Sequence, residues 1–300
     1  MTIRTPLDRR AEDVWHPLAW LRRGVVVFGK SLARLWGRDV MLYVGGVSFF
    51  AMLAAFPGLA IMVGLYGLLS DPNTVTQQAE AIANLMPPSA AALFVSEFER
   101  LSQAPLQAVS TQSGIALIIG GYASHRGFKA LLAGLSFIHD EDAPRGFFGF
   151  NMMALLVLIA AVGLLAFLSA AFFYLRFLSA AFHIRVFSGV PWIISEWAWS
   201  SLGITLAMSL IYRYAMSSKP VAWRASILGG GASAALCLFM SWASAVYVEQ
   251  IAHLGATYGS VAAVIVFLIW LSWNVNAVFF GGALATEIEL ADDARRADSV

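Results

Sequence analysis

Charge is what this sequence has least of. Only 12% of its 300 residues are Asp, Glu, Lys or Arg, about half the share usual in a soluble domain. With 59% hydrophobic residues and a mean hydropathy of +0.73, too few polar side chains remain to clothe an aqueous surface, and a water-soluble globule is excluded. Cysteine is nearly absent. The single Cys237 rules out an intrachain disulfide and a zinc site built from thiolates. Its place in the apolar run 234–240 reads as a small buried residue. Histidines are few and dispersed: His16, His125, His139, His183 and His253 never recur at i+2, i+3 or i+4. Metal-assisted hydrolysis of RNA needs clustered ligands, so nuclease activity is not expected. A phosphate loop is lacking too, because no Gly-Lys-Ser/Thr follows Gly229-Gly230-Gly231. That run reads as helix packing, where small residues let helices approach. No enzyme activity, cofactor or nucleic-acid partner is expected. Neither is a transporter made by inverted duplication, since the halves show no repeat. Arg9-Arg10 is followed by Ala11-Glu12-Asp13 rather than an apolar stretch, so the first forty residues are read as retained.

Long hydrophobic runs, by contrast, are abundant. A spanning helix takes about 20 mostly apolar residues, and six segments qualify: 41–69, 108–124, 149–174, 192–212, 226–248 and 260–285. The expected fold is all-α, a polytopic membrane protein with a bundle of six transmembrane helices. Residues 1–40 form an inner N-terminal region, 41–286 the membrane domain, and 287–300 an inner tail. Pro57-Gly58 inside the first span predicts a kink or a strong tilt. Of the 19 Lys and Arg residues, eight precede Met41, three lie in the second connection, three in the fourth and two in the tail. The positive-inside rule therefore places both termini in the cytoplasm of the inner membrane. Trp192, Trp197 and Trp199 at one end of span four, and Trp223 at the start of span five, suit interfacial levels.

Two further stretches have character. Leu18, Leu21, Val25, Phe28, Leu32 and Leu35 recur at three- and four-residue steps, opposite Arg23, Lys30, Arg34 and Arg38. That pattern is a basic amphipathic helix, either lying on the cytoplasmic membrane surface or packed on the inner end of the bundle. The outer connection, 71–107, holds Pro87-Pro88 between stretches of helical pattern and predicts a short helical loop covering the outer face.

Several short runs resemble the YihY/BrkB family of bacterial inner-membrane proteins, once labelled ribonuclease BN-like. They are Tyr212-Arg213-Tyr214, Trp223-Arg224, Ala256-Thr257-Tyr258-Gly259-Ser260 and Gly281-Gly282-Ala283-Leu284-Ala285-Thr286-Glu287, with Arg38-Asp39, Ser48-Phe49-Phe50 and Phe56-Pro57 at the front. Glu287 is the nearest match to the family's Gly-Ala-Glu-like ending, in a displaced position. The resemblance implies a six-span helical membrane protein. It also implies roles in envelope integrity, serum resistance or the movement of lipids and lipid-linked molecules.

Polar groups in or beside spans are the candidate functional residues. Asp39 abuts span one and could pair with Arg213 or Arg224. Glu196 lies one turn inside span four, Gln112 in span two, Asn274 and Asn276 in span six, Tyr258 before span six, and Glu287 at its inner end. Each has a plain structural alternative, an interfacial residue reaching water or an internal pair. Asn274 and Asn276 are two apart, about 200° around a helix, so at least one is expected to bond to a neighbouring helix. Membrane lipids are the expected partners, with anionic head groups drawn to the basic inner face. The function expected is transport or translocation of lipid or lipid-linked molecules; the alternative is a non-transporting scaffold.

Overall fold

A computed structural model gives the fold and describes residues 17–36, 39–69, 106–140, 146–181, 196–248 and 261–297, with isolated positions between 83 and 99. Several side chains inside these segments, Gln112 and Glu196 among them, fall outside the description. Seven long helices are described: α1 (Pro17–Trp36), α2 (Val40–Leu69), α3 (Leu106–Ile138), α4 (Phe147–Ala181), α5 (Glu196–Tyr214), α6 (Trp223–Val246) and α7 (Ala262–Ala297). The chain is an all-α polytopic membrane protein. Among the described residues, four helices are long and apolar enough to cross a bilayer: α2 over Val40–Gly58, α4 over Phe147–Ala171, α6 and α7.

Three helices run well beyond their expected limits, α4 among them, which reaches Ala181 rather than Tyr174. α3 does not stop at Ser124 but continues to Ile138, so Arg126 and Lys129 lie on a helix rather than in a connection. Apolarity fades at His125-Arg126, yet Phe128, Leu131, Leu132, Leu135 and Ile138 keep the helical period, and the last four are buried. Hydropathy marks where lipid ends; periodicity marks where the helix ends. Likewise α7 carries on through most of the expected tail to Ala297.

α2 and α3 pack antiparallel through small residues. A Cβ built on Gly120 would stand 2.8 Å from Pro57 Cβ, one on Gly127 3.4 Å from Phe50 Cβ, and one on Gly134 3.0 Å from Tyr43 Cβ. α5, α6 and α7 meet still more closely. A Cβ on Gly229 would lie 2.6 Å from the Gly281 carbonyl oxygen, and one on Gly230 2.7 Å from that of Thr205. The Gly-rich run of α6 therefore serves packing, as its composition suggests. α4 is the most peripheral helix, exposing Phe148, Met152, Leu156, Ile159, Val162 and Leu165.

The ends of α1, α3, α5 and α7 gather with the starts of α2, α4 and α6. Arg34 donates to the Ile138 carbonyl, Ser136 Oγ to the Met216 carbonyl and the Ala222 amide to Glu289, bonds that involve five of these segments at one end of the bundle. The main core lies there, with Val40, Val44, Leu132, Leu135, Ile138, Tyr212, Met216, Val221, Phe279 and Ala283 at its centre. Toward the other end a smaller cluster forms around Val248, Val266 and Phe267, onto which Met86 packs. The rest of the expected helical outer loop lies outside the described residues.

α1 lies along α7 and runs the same way, with Phe28 against Phe280 (ring centroids 5.1 Å apart) and Arg34 against Glu287. Its contact side is mixed: Ser31 is fully buried and donates to the Val27 carbonyl, Leu35 packs on the main core, and Phe28 touches Phe280 while half exposed. Val25, Leu32 and Trp36 face outward.

Candidate functional site at the charged end

α3 ends in a left-handed residue. Asp140 has φ 57°, a conformation that Asp tolerates better than most side chains, and its carboxylate meets Arg34 Nη1 at 2.6 Å. Arg34 Nε donates to Glu287 Oε1 at 2.8 Å, and Nη2 lies 2.7 Å from the same oxygen. The Arg34 and Glu287 side chains are only 13% and 10% exposed. Burial alone would lower the pKa of Arg34, but hydrogen bonds and charge from Glu287 and Asp140 outweigh it and hold the guanidinium above its ordinary value. One arginine thus bridges α1, the end of α3 and α7.

The next layer is built from hydroxyl and imidazole groups. Thr286 Oγ1 donates to the Gly282 carbonyl at 3.1 Å, which uses its one hydrogen, so it accepts from His139 Nδ1 at 3.0 Å. His139 Nε2 lies 3.7 Å from Glu289 Oε2, an ion pair whenever the ring is protonated. Glu289 Oε1 also accepts from the Ala222 amide at 3.3 Å, before α6. One turn further along α7, Asp292 lies 3.5 Å from Arg224 and 3.8 Å from Arg295.

Arg213 staples the turn between α5 and α6. Its Nη1 donates to the Val221 carbonyl at 2.6 Å, and its guanidinium sits 4.4 Å from the Trp223 ring centre and 5.2 Å from that of Tyr214. Its Nε is buried without a partner. Deeper in, the fully buried Tyr212 hydroxyl lies 2.6 Å from Ser233 Oγ and donates to the Val278 carbonyl at 2.6 Å, a node joining α5, α6 and α7.

Of the residues singled out by sequence, Glu287 and Arg224 enter this charged end, and Arg213 borders it. The expected pairing of Asp39 with Arg213 or Arg224 is not what forms: Arg213 takes a carbonyl and two rings, Arg224 takes Asp292, and Asp39 is exposed at the foot of α2. An interior carbonyl and aromatic faces satisfy Arg213 without a carboxylate. Asn274 does reach a neighbouring helix, its Oδ1 accepting from Ser241 on α6 at 3.4 Å. Both asparagine amides donate to carbonyls one turn back, Asn274 to Trp270 and Asn276 to Ser272, each at 2.8 Å. Tyr258 and the side chains of Gln112 and Glu196 lie outside the described residues. Sequence reasoning missed Arg34, His139, Asp140 and Glu289 as a group. Arg34 belongs to the basic stripe of α1, and nothing local shows that one basic residue of such a stripe turns inward.

Residues 31–299 match the family described as Virulence factor BrkB. The chain belongs to the BrkB family. It is also similar to the "Putative ribonuclease-like protein YfkH" of Bacillus subtilis (strain 168), 24% identical over 247 residues that cover 79% of this chain and 86% of that protein. No solved structure matches. The BrkB match begins at Ser31, so the buried Ser31 and the bridging Arg34 both fall inside the family region. Among the described residues, no group of three or more His, Cys, Asp and Glu side chains is placed to hold a metal ion.

Proposed function

We propose that this BrkB-family protein handles lipid in the bacterial inner membrane, moving lipid or lipid-linked molecules, with six helices crossing the bilayer and the charged end in the cytoplasm. The observation that carries this reading is a set of polar side chains on α7 and α6 that stay half-buried beside closely packed neighbours. Phe279, Phe280, Ala283 and Ala285 are buried. Just further from the charged end Val275 and Ala277 are buried as well, whereas Ser272, Asn274 and Asn276 of α7 and Ser241 of α6 are only half-buried. Ser272 reaches Ser48 on α2 at 3.3 Å, and Ser241 accepts from Trp270 at 3.1 Å. Polar side chains held between helices and left partly open are what a head group passing between them would need. The closed, charge-locked end would then be the cytoplasmic seal.

The second reading is a scaffold, favoured by the internal hydrogen bonds that Asn274 and Asn276 make. No catalysis is assigned, and the name of the Bacillus relative is not extended to this chain. Reconstitution into liposomes carrying fluorescent phospholipids separates the two readings. Lipid handling predicts exchange between leaflets faster than in protein-free vesicles, slowed by Asn276→Leu. Exchange no faster than in empty vesicles would leave the scaffold.

A further inference from the structure

The continuation of α3 past Ser124 brings Tyr122, His125, Arg126 and Lys129 onto one stripe at spacings of three, four and seven residues. We propose that this stripe is a binding site for one anionic phospholipid, held by its phosphate at Arg126 and Lys129. Arg126 lies twelve residues before Ile138, about 18 Å along the helix from the charged end. It is level with Phe50, ten residues into α2, since neighbouring Gly127 packs there. Long basic side chains normally reach toward the nearest water. Arg126 reaches the other way: its Nε donates to Tyr122 Oη at 3.1 Å, and its guanidinium lies 5.5 Å from that ring's centre. It is exposed and, among the described residues, has no carboxylate partner. Lys129 Nζ sits 5.7 Å from the centre of the Phe147 ring, at the start of the lipid-exposed α4. His125 carries a buried Nδ1 without a partner on the same stripe.

The same stripe continues away from the charged end as Ile119, Ile118 and Ile115, which are 45%, 75% and 56% exposed. From Ile115 to Arg126 is about 16 Å, close to the half-thickness of a hydrocarbon core. Apolar surface of acyl-chain length, then a tyrosine, then two cations is the profile of a phospholipid, and a soluble anion would leave the isoleucines unused. The assignment rests on the proposed placement of the charged end in the cytoplasm, but not on transport.

The test uses the purified full chain in neutral detergent, titrated with phosphatidylglycerol or phosphatidylcholine and read by native mass spectrometry. Phosphatidylglycerol should be retained in preference. Arg126→Gln with Lys129→Gln should remove that preference, each lost charge weakening binding about fivefold. Arg126→Lys with Lys129→Arg should keep it, as should Arg295→Gln with Arg296→Gln on the far end of α7. Because Arg126 is exposed, the neutral variant should retain the wild-type thermal transition, which is measured alongside. No preference in the wild type, equal loss in the α7 variant, or displacement by inorganic phosphate at matched concentration would each overturn the proposal. Since leaflet exchange is not the readout, failure here and failure of the lipid-handling reading are distinguishable.

Discussion

Arg34 and Glu287 stand 253 positions apart in sequence, yet they share the driest ion pair of the charged end. Removing one partner from such a pair leaves the other charge without compensation, which costs about 3–5 kcal/mol. Arg34→Gln or Glu287→Gln should therefore lower the melting temperature in detergent markedly. The double change Arg34→Met with Glu287→Leu should recover much of the loss, because it removes both desolvated charges at once. A double variant no more stable than either single one would mean the pair acts otherwise. The raised pKa of Arg34 stabilises the fold at every pH below the ordinary arginine value, and that contribution is lost only as pH rises through the higher folded value. Between pH 5 and 9, about the working range of such measurements, the arginine side of the pair should give no pH dependence. Tyr212→Phe is a milder change. It removes hydrogen bonds to Ser233 and Val278 without opening a large cavity, and should cost about 0.6 kcal/mol, at most about 1.7.

Helices, rather than single residues, decide what the glycines do. In α6, Gly229 and Gly230 face backbone atoms of α7 and α5, whereas a Cβ on Gly231 would meet nothing within 4 Å. Gly231→Ala should be neutral or stabilise by up to about 1 kcal/mol, since alanine is the better helix former. Gly229→Ala must push α6 off α7 and should lower both the melting temperature and the monodisperse yield. Equal behaviour of the two variants would contradict the close approach. The apolar runs and the Gly-Gly-Gly run announce this packing in the sequence. What is not announced is which helix each run meets, because apolar periodicity names a face and leaves its partner open. The same gap explains α1. Its amphipathic period is plain, but the packed side takes Ser31 and Arg34 along with Leu35 and one edge of Phe28, while Val25 and Leu32 face outward. α3 was legible only in its first half, where apolarity and helical period coincide.

At the scale of the whole molecule, the alternation of α2 to α7 and the placement of charge make one argument. Arg34, Arg213, Arg224, Arg295 and Arg296 all belong to the end where the helix termini meet. Under the proposed function this basic end lies on the cytoplasmic side, and six crossings would return the chain to the side from which it entered. Two of the six helices, α3 and α5, carry too many polar residues to be marked as spans by apolarity alone, but each runs between the same two ends as its neighbours. Cysteine accessibility tests the arrangement directly, since Cys237 is the chain's one thiol and is buried. In a Cys237→Ala background, Lys219→Cys in the α5–α6 turn and Arg296→Cys near the end of α7 should resist a membrane-impermeant maleimide in intact cells and react after the membrane is opened. Asn73→Cys, in the connection after α2, should react in intact cells. Lys219 and Arg296 labelling from opposite sides would mean an odd number of crossings between them, so that α6 and α7 could not both span. Both labelling in intact cells would invert the molecule, placing the charged end outside and removing the basis for an inner-leaflet lipid at Arg126.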